Sequence, residues 1–210
     1  TSRSQNNYQI LNNGTVANPL GDAAGTIIGV GNNGSATMTA VISNNVIVAN
    51  NTVGSNGVGG GNGVVTGSGT ETPDLTLTVT NNTISQTDGN GILLVGRGTS
   101  GILKTGIRGN VVAAPLAGVR PGIRVDAGNA SSDDDNVCLD MSGNTSAGSG
   151  GSQGLGLRKQ GTDSAINAFG VEGMGATASP GVEAFIDGLN PAGGGTLLIS
   201  ATSGFSSCGT

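Results

Sequence analysis

Acid and base chemistry has few places to reside on this chain. Its 13 acidic and 8 basic residues are 10% of 210 positions, against roughly a quarter in ordinary soluble domains. Five of the 13 carboxylates fall in one stretch, Asp126, Asp133, Asp134, Asp135 and Asp140, with Arg108, Arg120, Arg124 and Arg158 around it. Glycoside hydrolysis needs two carboxylates placed about 5–10 Å apart across a bond. Lyase cleavage needs a strong base, often Arg or Lys, with Ca²⁺ held by acidic ligands. Asp133, Asp134 and Asp135 are consecutive and follow Ala130-Ser131-Ser132, so their side chains point in different directions. We read that run as a solvated acidic loop with weak Ca²⁺ binding as its remaining option, and assign no catalytic residue, cofactor or metal site. Arg158 and Asp126 each fall on an outward row near the end of a second strand, one coil apart, with Arg124 close by. The expectation is a surface charge pair worth under about 1 kcal/mol.

Other binding chemistries find little support. Sugar stacking lacks an aromatic row, since Trp is absent and Tyr8 is the only tyrosine. Thr37/Thr39 and Thr76/Thr78 form Thr-x-Thr pairs, but the next coils carry Lys104 and Cys138 at the matching position. A threonine ladder for ice binding therefore does not persist. Asn-x-Ser/Thr sequons at Asn13, Asn33, Asn50, Asn81, Asn129 and Asn144 are expected by chance in so Asn-rich a chain. The Gly-x-Gly fragments between Gly59 and Gly63 are followed by no helix, which removes a nucleotide-binding reading.

The net charge is −5 and the basic residues are scattered, so no cationic stripe exists for nucleic acid. No apolar run approaches the ~18 residues of a membrane span. Cys138 and Cys208 are the only cysteines. In a Lys-poor, Asn/Thr-rich chain they suggest a secreted protein with one disulfide pinning its tail, two unrelated thiols being the alternative.

The elements that must position these groups repeat. Five alternating apolar stretches end in a bend at Asn13, Asn45, Asn82, Asn110 and Asn144, spaced 32, 37, 28 and 34 residues apart. Three residues before each bend stand Ile10, Ile42, Val79, Ile107 and Met141, and five before it Tyr8, Ala40, Leu77, Thr105 and Leu139. Both rows belong to one strand face. Two after the bend, Ile47, Ile84 and Val112 resume it. The residue before each bend is Asn12, Asn44, Asn81, Gly109 or Gly143, types that tolerate positive φ. Second strands follow at 25–28, 63–65, 91–95, 122–125 and 154–157, and Gly/Ser/Asn clusters, including 54–63, read as loops. A repeated strand, corner and strand points to an all-β parallel solenoid of about five coils with stacked asparagines. A β-sandwich with hairpin turns is the alternative.

Units such as Val79-Thr80-Asn81-Asn82-Thr83-Ile84 followed by Gly89-Asn90-Gly91-Ile92 resemble the right-handed parallel β-helix proteins of the pectate-lyase-like superfamily, over roughly residues 7 to 160. The resemblance implies the fold. It implies no single activity, because lyases, hydrolases, phage tailspikes and surface proteins share it. Asn136 to Asn144, with the Gly-rich ending at Cys208, is similar to the C-terminal part of large repeat-rich bacterial surface proteins.

Residues 1–160 are thus expected to form the coils, and 161–210 a C-terminal cap. Within the cap, Ser179-Pro180 opens a short amphipathic helix over about 180–189, with apolar residues at 182, 185, 186 and 189. Thr196 to Ile199 supplies a final strand, and Cys208 ties the tail to Cys138, which the alternation places on the outer row. The N-terminal end has no comparable lid. The expected partners are upstream coils of a longer precursor or a second copy stacked end to end. The functional expectation is a non-enzymatic extracellular or cell-surface structural protein, with a polysaccharide-active lyase or hydrolase using acids near Asp126 to Asp140 as the alternative.

Overall fold

The computed structural model describes residues 5–21, 24–32, 35–62, 72–97, 99–128, 134–159, 168–175, 181–199 and 204–208. Strands in it pair only in parallel, in three sheets that run along one axis. Sheet A stacks β1 (Gln5–Leu11), β3 (Thr37–Ser43), β6 (Asp74–Thr80), β9 (Thr99–Arg108), β12 (Asp134–Ser142), β15 (Ala168–Val171) and β17 (Phe205–Ser207). Sheet B stacks β4 (Val46–Val48), β7 (Thr83–Ser85), β10 (Val111–Val112) and β13 (Thr145–Ser146). Sheet C stacks β2 (Gly25–Asn32), β5 (Ser55–Asn62), β8 (Ile92–Gly96), β11 (Ile123–Ala127), β14 (Leu155–Lys159) and β16 (Thr196–Ile199). This is a parallel β-solenoid of about five turns, and the sandwich alternative fails because its hairpins would pair strands antiparallel.

The register explains the core. Ile10, Ile42, Val79, Ile107 and Met141 are successive partners along sheet A, as are Tyr8, Ala40, Leu77, Thr105 and Leu139. Sheet C answers with Ile28, Val58, Ile92, Ile123 and Leu155. Ile42, Val79, Ile107, Ile92 and Ile123 are fully buried. Truncating any one of these to Ala costs about 2–4 kcal/mol, because rows locked in register cannot collapse around a cavity. Thr105 is the one polar member, and its buried hydroxyl has no hydrogen-bond partner among the described residues.

The corner between sheets A and B forms as its residue types require. Asn12, Asn44, Asn81, Gly109 and Gly143 all take φ between 55° and 64°, the left-handed region open to Asn and Gly at little strain. One reversal of φ there turns the strand into sheet B.

The second coil departs from the sequence reading. Residues 54–63 were expected as a loop and 63–65 as the strand, yet the strand is β5, Ser55–Asn62, while 63–65 lie outside the described residues. Glycine is there for space. Gly61 takes φ 138°, and a Cβ on it would sit against the Val95 carbonyl.

Residues beyond 160 contribute β15, β16 and β17 in register with the solenoid sheets. They also supply α1 (Gly181–Leu189), which buries Val182 and Ile186 over the end of the core. Ser179 and Pro180 lie outside the described residues. Cys138 and Cys208 form a disulfide. The tail reaches Cys138 by crossing Gly170, where a Cβ would lie 2.8 Å from the Cys208 Cα.

Candidate functional site

Three polar clusters emerge from this frame. One lies open on the outer face of sheet A. Thr76, Lys104 and Cys138 are register partners, as are Thr78, Gly106 and Asp140. Gly106 has no side chain, so a groove of about 340 Å³ opens above it, bounded by Lys104, Arg108, Asp140 and Glu172. Asp140 is not free inside it. Its carboxylate accepts from Arg108, and that bond holds the guanidinium pKa above its ordinary value. Donor atoms of Cys138, Cys208 and Glu172 lie within 4.8 Å of one another. Both sulfurs are spent on the disulfide, so the cluster offers no thiolate to a metal. The Thr-x-Thr pairs meet only as Thr39 beside Thr76 before the row passes to Lys104, so no flat threonine face forms.

The second cluster sits at the C-terminal ends of β11 and β14, two neighbouring interior strands of sheet C. Asp126 and Arg158 are register partners, as the spacing predicted. Asp126 accepts from Arg158 at 2.9 Å and from Arg124 Nε at 2.8 Å. It is not the surface pair expected, since Asp126 is only 2% exposed. Alternation placed it on the outer row correctly, but the two guanidiniums enclose it there. Burial pushes the Asp126 carboxyl pKa up, and both arginines oppose the shift. Burial lowers the Arg158 pKa, with Arg124 and Arg97 adding to the fall and Asp126 resisting it. Lys159 is also buried, donates to the Gly204 carbonyl at 3.0 Å, and has its pKa lowered by desolvation.

Asp135 corrects the acidic-loop reading. It lies in β12, fully buried, with its carboxylate in space left by Gly96 and Gly101, where a Cβ would collide with its oxygens. Asp134 belongs to the same strand, and Asp133 falls outside the described residues. The candidate acids therefore do not converge. Asp126 is on sheet C, Asp135 is inside, and Asp140 is on the outer face of sheet A. Arg120 is exposed beside Ser149.

The third cluster is the corner ladder. Asn13 donates its backbone N–H and Nδ2 to Asn45 Oδ1, both at 2.9 Å. Asn45 does the same to Asn82, Asn82 to Asn110, and Asn110 to Asn144, all at 2.9–3.0 Å. From Asn45 to Asn144 each amide also reaches a backbone carbonyl of the preceding coil, as Asn82 Nδ2 does to Ile42 O at 3.1 Å. Asn45, Asn82, Asn110 and Asn144 are buried. The sequence reading missed a sixth member, Asn190, whose Oδ1 accepts both donors of Asn144 at 3.0 and 2.9 Å. It stands at the end of α1 rather than between two strands, and only its place before Pro191 marked it. The chain matches no family model, no curated protein and no solved structure.

Proposed function

We propose that the protein works as a non-enzymatic structural element, a rigid β-solenoid of an extracellular or cell-surface assembly. The observation that carries this is the unbroken ladder from Asn13 to Asn190 around a filled core. Buried amides with complete hydrogen bonding fix one arrangement of the coils, and every missing bond is costly, so the coils resist sliding or opening. The disulfide accords with an oxidising, secreted setting. No helix among the described residues is long and apolar enough to cross a membrane.

The groove with Lys104, Asp140 and Glu172 supports the second reading, a polysaccharide-active enzyme. One assay separates the two. The purified chain is offered acidic and neutral polysaccharides, with and without Ca²⁺, beside Lys104→Ala, Asp140→Asn and Glu172→Gln variants. The structural reading expects no turnover from any of them. Turnover by the parent chain that these groove substitutions abolish rejects it. Electron microscopy of native material then asks whether the chain occurs in rods or filaments.

A further inference from the structure

The asparagine ladder has a direction. From it we infer that the N-terminal face of the solenoid is a docking surface for one further parallel β-coil whose own corner carries an asparagine. The inference rests on the structural reading above and names its partner. At each step the lower-numbered Asn donates and the higher-numbered side-chain carbonyl accepts. The ladder's unused acceptor is therefore Asn13 Oδ1, which no donor among the described residues reaches. Asn13 is exposed, whereas its five successors are buried.

The rest of that face is equally incomplete. β1 and β2 are the outer strands of sheets A and C, and among the described residues each leaves one edge without a neighbour. Tyr8 is 50% exposed although its register partner Ala40 is 1% exposed, and Leu11 is also open. Edge hydrogen-bonding groups around an uncovered apolar interior form a template for strand addition.

Two rival occupants fail on the same hydrogen bonds. A second copy placed face to face brings two Asn13 carbonyl oxygens together, acceptor against acceptor. A second copy offering its other end has no asparagine-ladder donor to give among the described residues. There the Asn190 N–H bonds the Ile186 carbonyl at 3.0 Å, and its Nδ2 bonds the Met141 and Ile186 carbonyls at 3.0 and 2.9 Å, beneath α1. The fitting occupant is an uncapped coil that donates a backbone N–H and a side-chain amide to Asn13. Its strands run parallel to β1 and β2, and its inward side chains cover Tyr8 and Ile10.

The test extends the full chain at its N-terminus, through a Gly/Ser linker, with a second copy of residues 72–97, the coil that carries Asn82. The β1 amides are expected to exchange about tenfold more slowly or better, and the protection to vanish when the appended copy carries Asn82→Leu. Protection that survives that change, or no protection from either version, overturns the proposal. A second measurement needs no added segment: sedimentation of the unextended chain at high micromolar concentration is expected to show a monomer. A dimer or filament that slows exchange in β1 also overturns it. Enzymatic turnover sinks the structural reading and leaves this interface standing, whereas failed docking sinks only the interface.

Discussion

Where sheet A bends into sheet B, polar atoms are buried as neutral amides. Where β11 and β14 of sheet C end, they are buried as ions. The amide corner repeats through six asparagines, and each bond in it resembles the last. The ionic cluster belongs to two adjacent strands and is held by one carboxylate between Arg124 and Arg158. A repeated neutral bond can be extended coil after coil without accumulating charge. An ion cluster cannot, because each added guanidinium must again be desolvated and matched.

That contrast can be broken at its centre. Asn82→Leu removes the acceptor of two Asn45 donors and takes away the side-chain donor to the Ile42 carbonyl. The expected loss is about 5 kcal/mol in urea denaturation, from two or more orphaned buried groups plus a misfitting side chain. Asp126→Ala is expected to cost about 3 kcal/mol, the low end for stripping a buried ion of its partner. Arg124 and Arg158 keep 24% and 17% of their side-chain surface, which softens the penalty. The sharper comparison replaces the whole ionic cluster. Arg124→Met, Asp126→Leu and Arg158→Met together should return stability to within about 1 kcal/mol of the parent. No apolar triple in the ladder is expected to do so, since the backbone groups it leaves behind still need partners. Recovery in the ladder, or none in the cluster, would erase the distinction.

Acidity offers a gentler probe. The Asp126 carboxyl pKa is raised in the fold, so between its unfolded and folded values the native state binds more protons. Stability from this group therefore falls as pH rises through that window and is regained on acidification. Urea midpoints followed from neutral pH downward should show this limb in the parent, and a flatter one in Asp126→Asn. Arg108→Ala marks the small end of the scale. Its bond to Asp140 lies on the outer face with half the Arg side chain in solvent. The expected change is under about 0.5 kcal/mol, and a larger one would give that groove a structural importance its exposure does not predict.

The ladder was legible in the sequence because one backbone constraint and one side-chain type recur together. Asn or Gly is needed for positive φ, and Asn is needed one residue later for a side chain that both donates and accepts. Asn190 escaped because a helix, not a strand, presents it. β5 escaped because its glycines answer to crowding by the Val30 and Val95 carbonyls rather than to turn geometry, and composition does not separate the two. Asp126 was placed on the correct row and in the correct pair. Its burial was invisible because alternation assigns a face without saying what lies over it. Asp135 was read through its acidic neighbours, whereas the room for its carboxylate comes from Gly96 and Gly101.

The covalent link between Cys138 and Cys208 spans 70 residues of sequence, enclosing β13, β14, β15, α1, β16 and β17. Tension applied at Cys208 enters β12 through the sulfurs instead of peeling the last rungs away one at a time. The closed segment becomes hidden length that a pull cannot pay out, and the first strand to carry the load has a neighbour on each side. Reduction would move the point of attack to β17, an edge strand of three residues. The same tether thus fixes where mechanical failure begins.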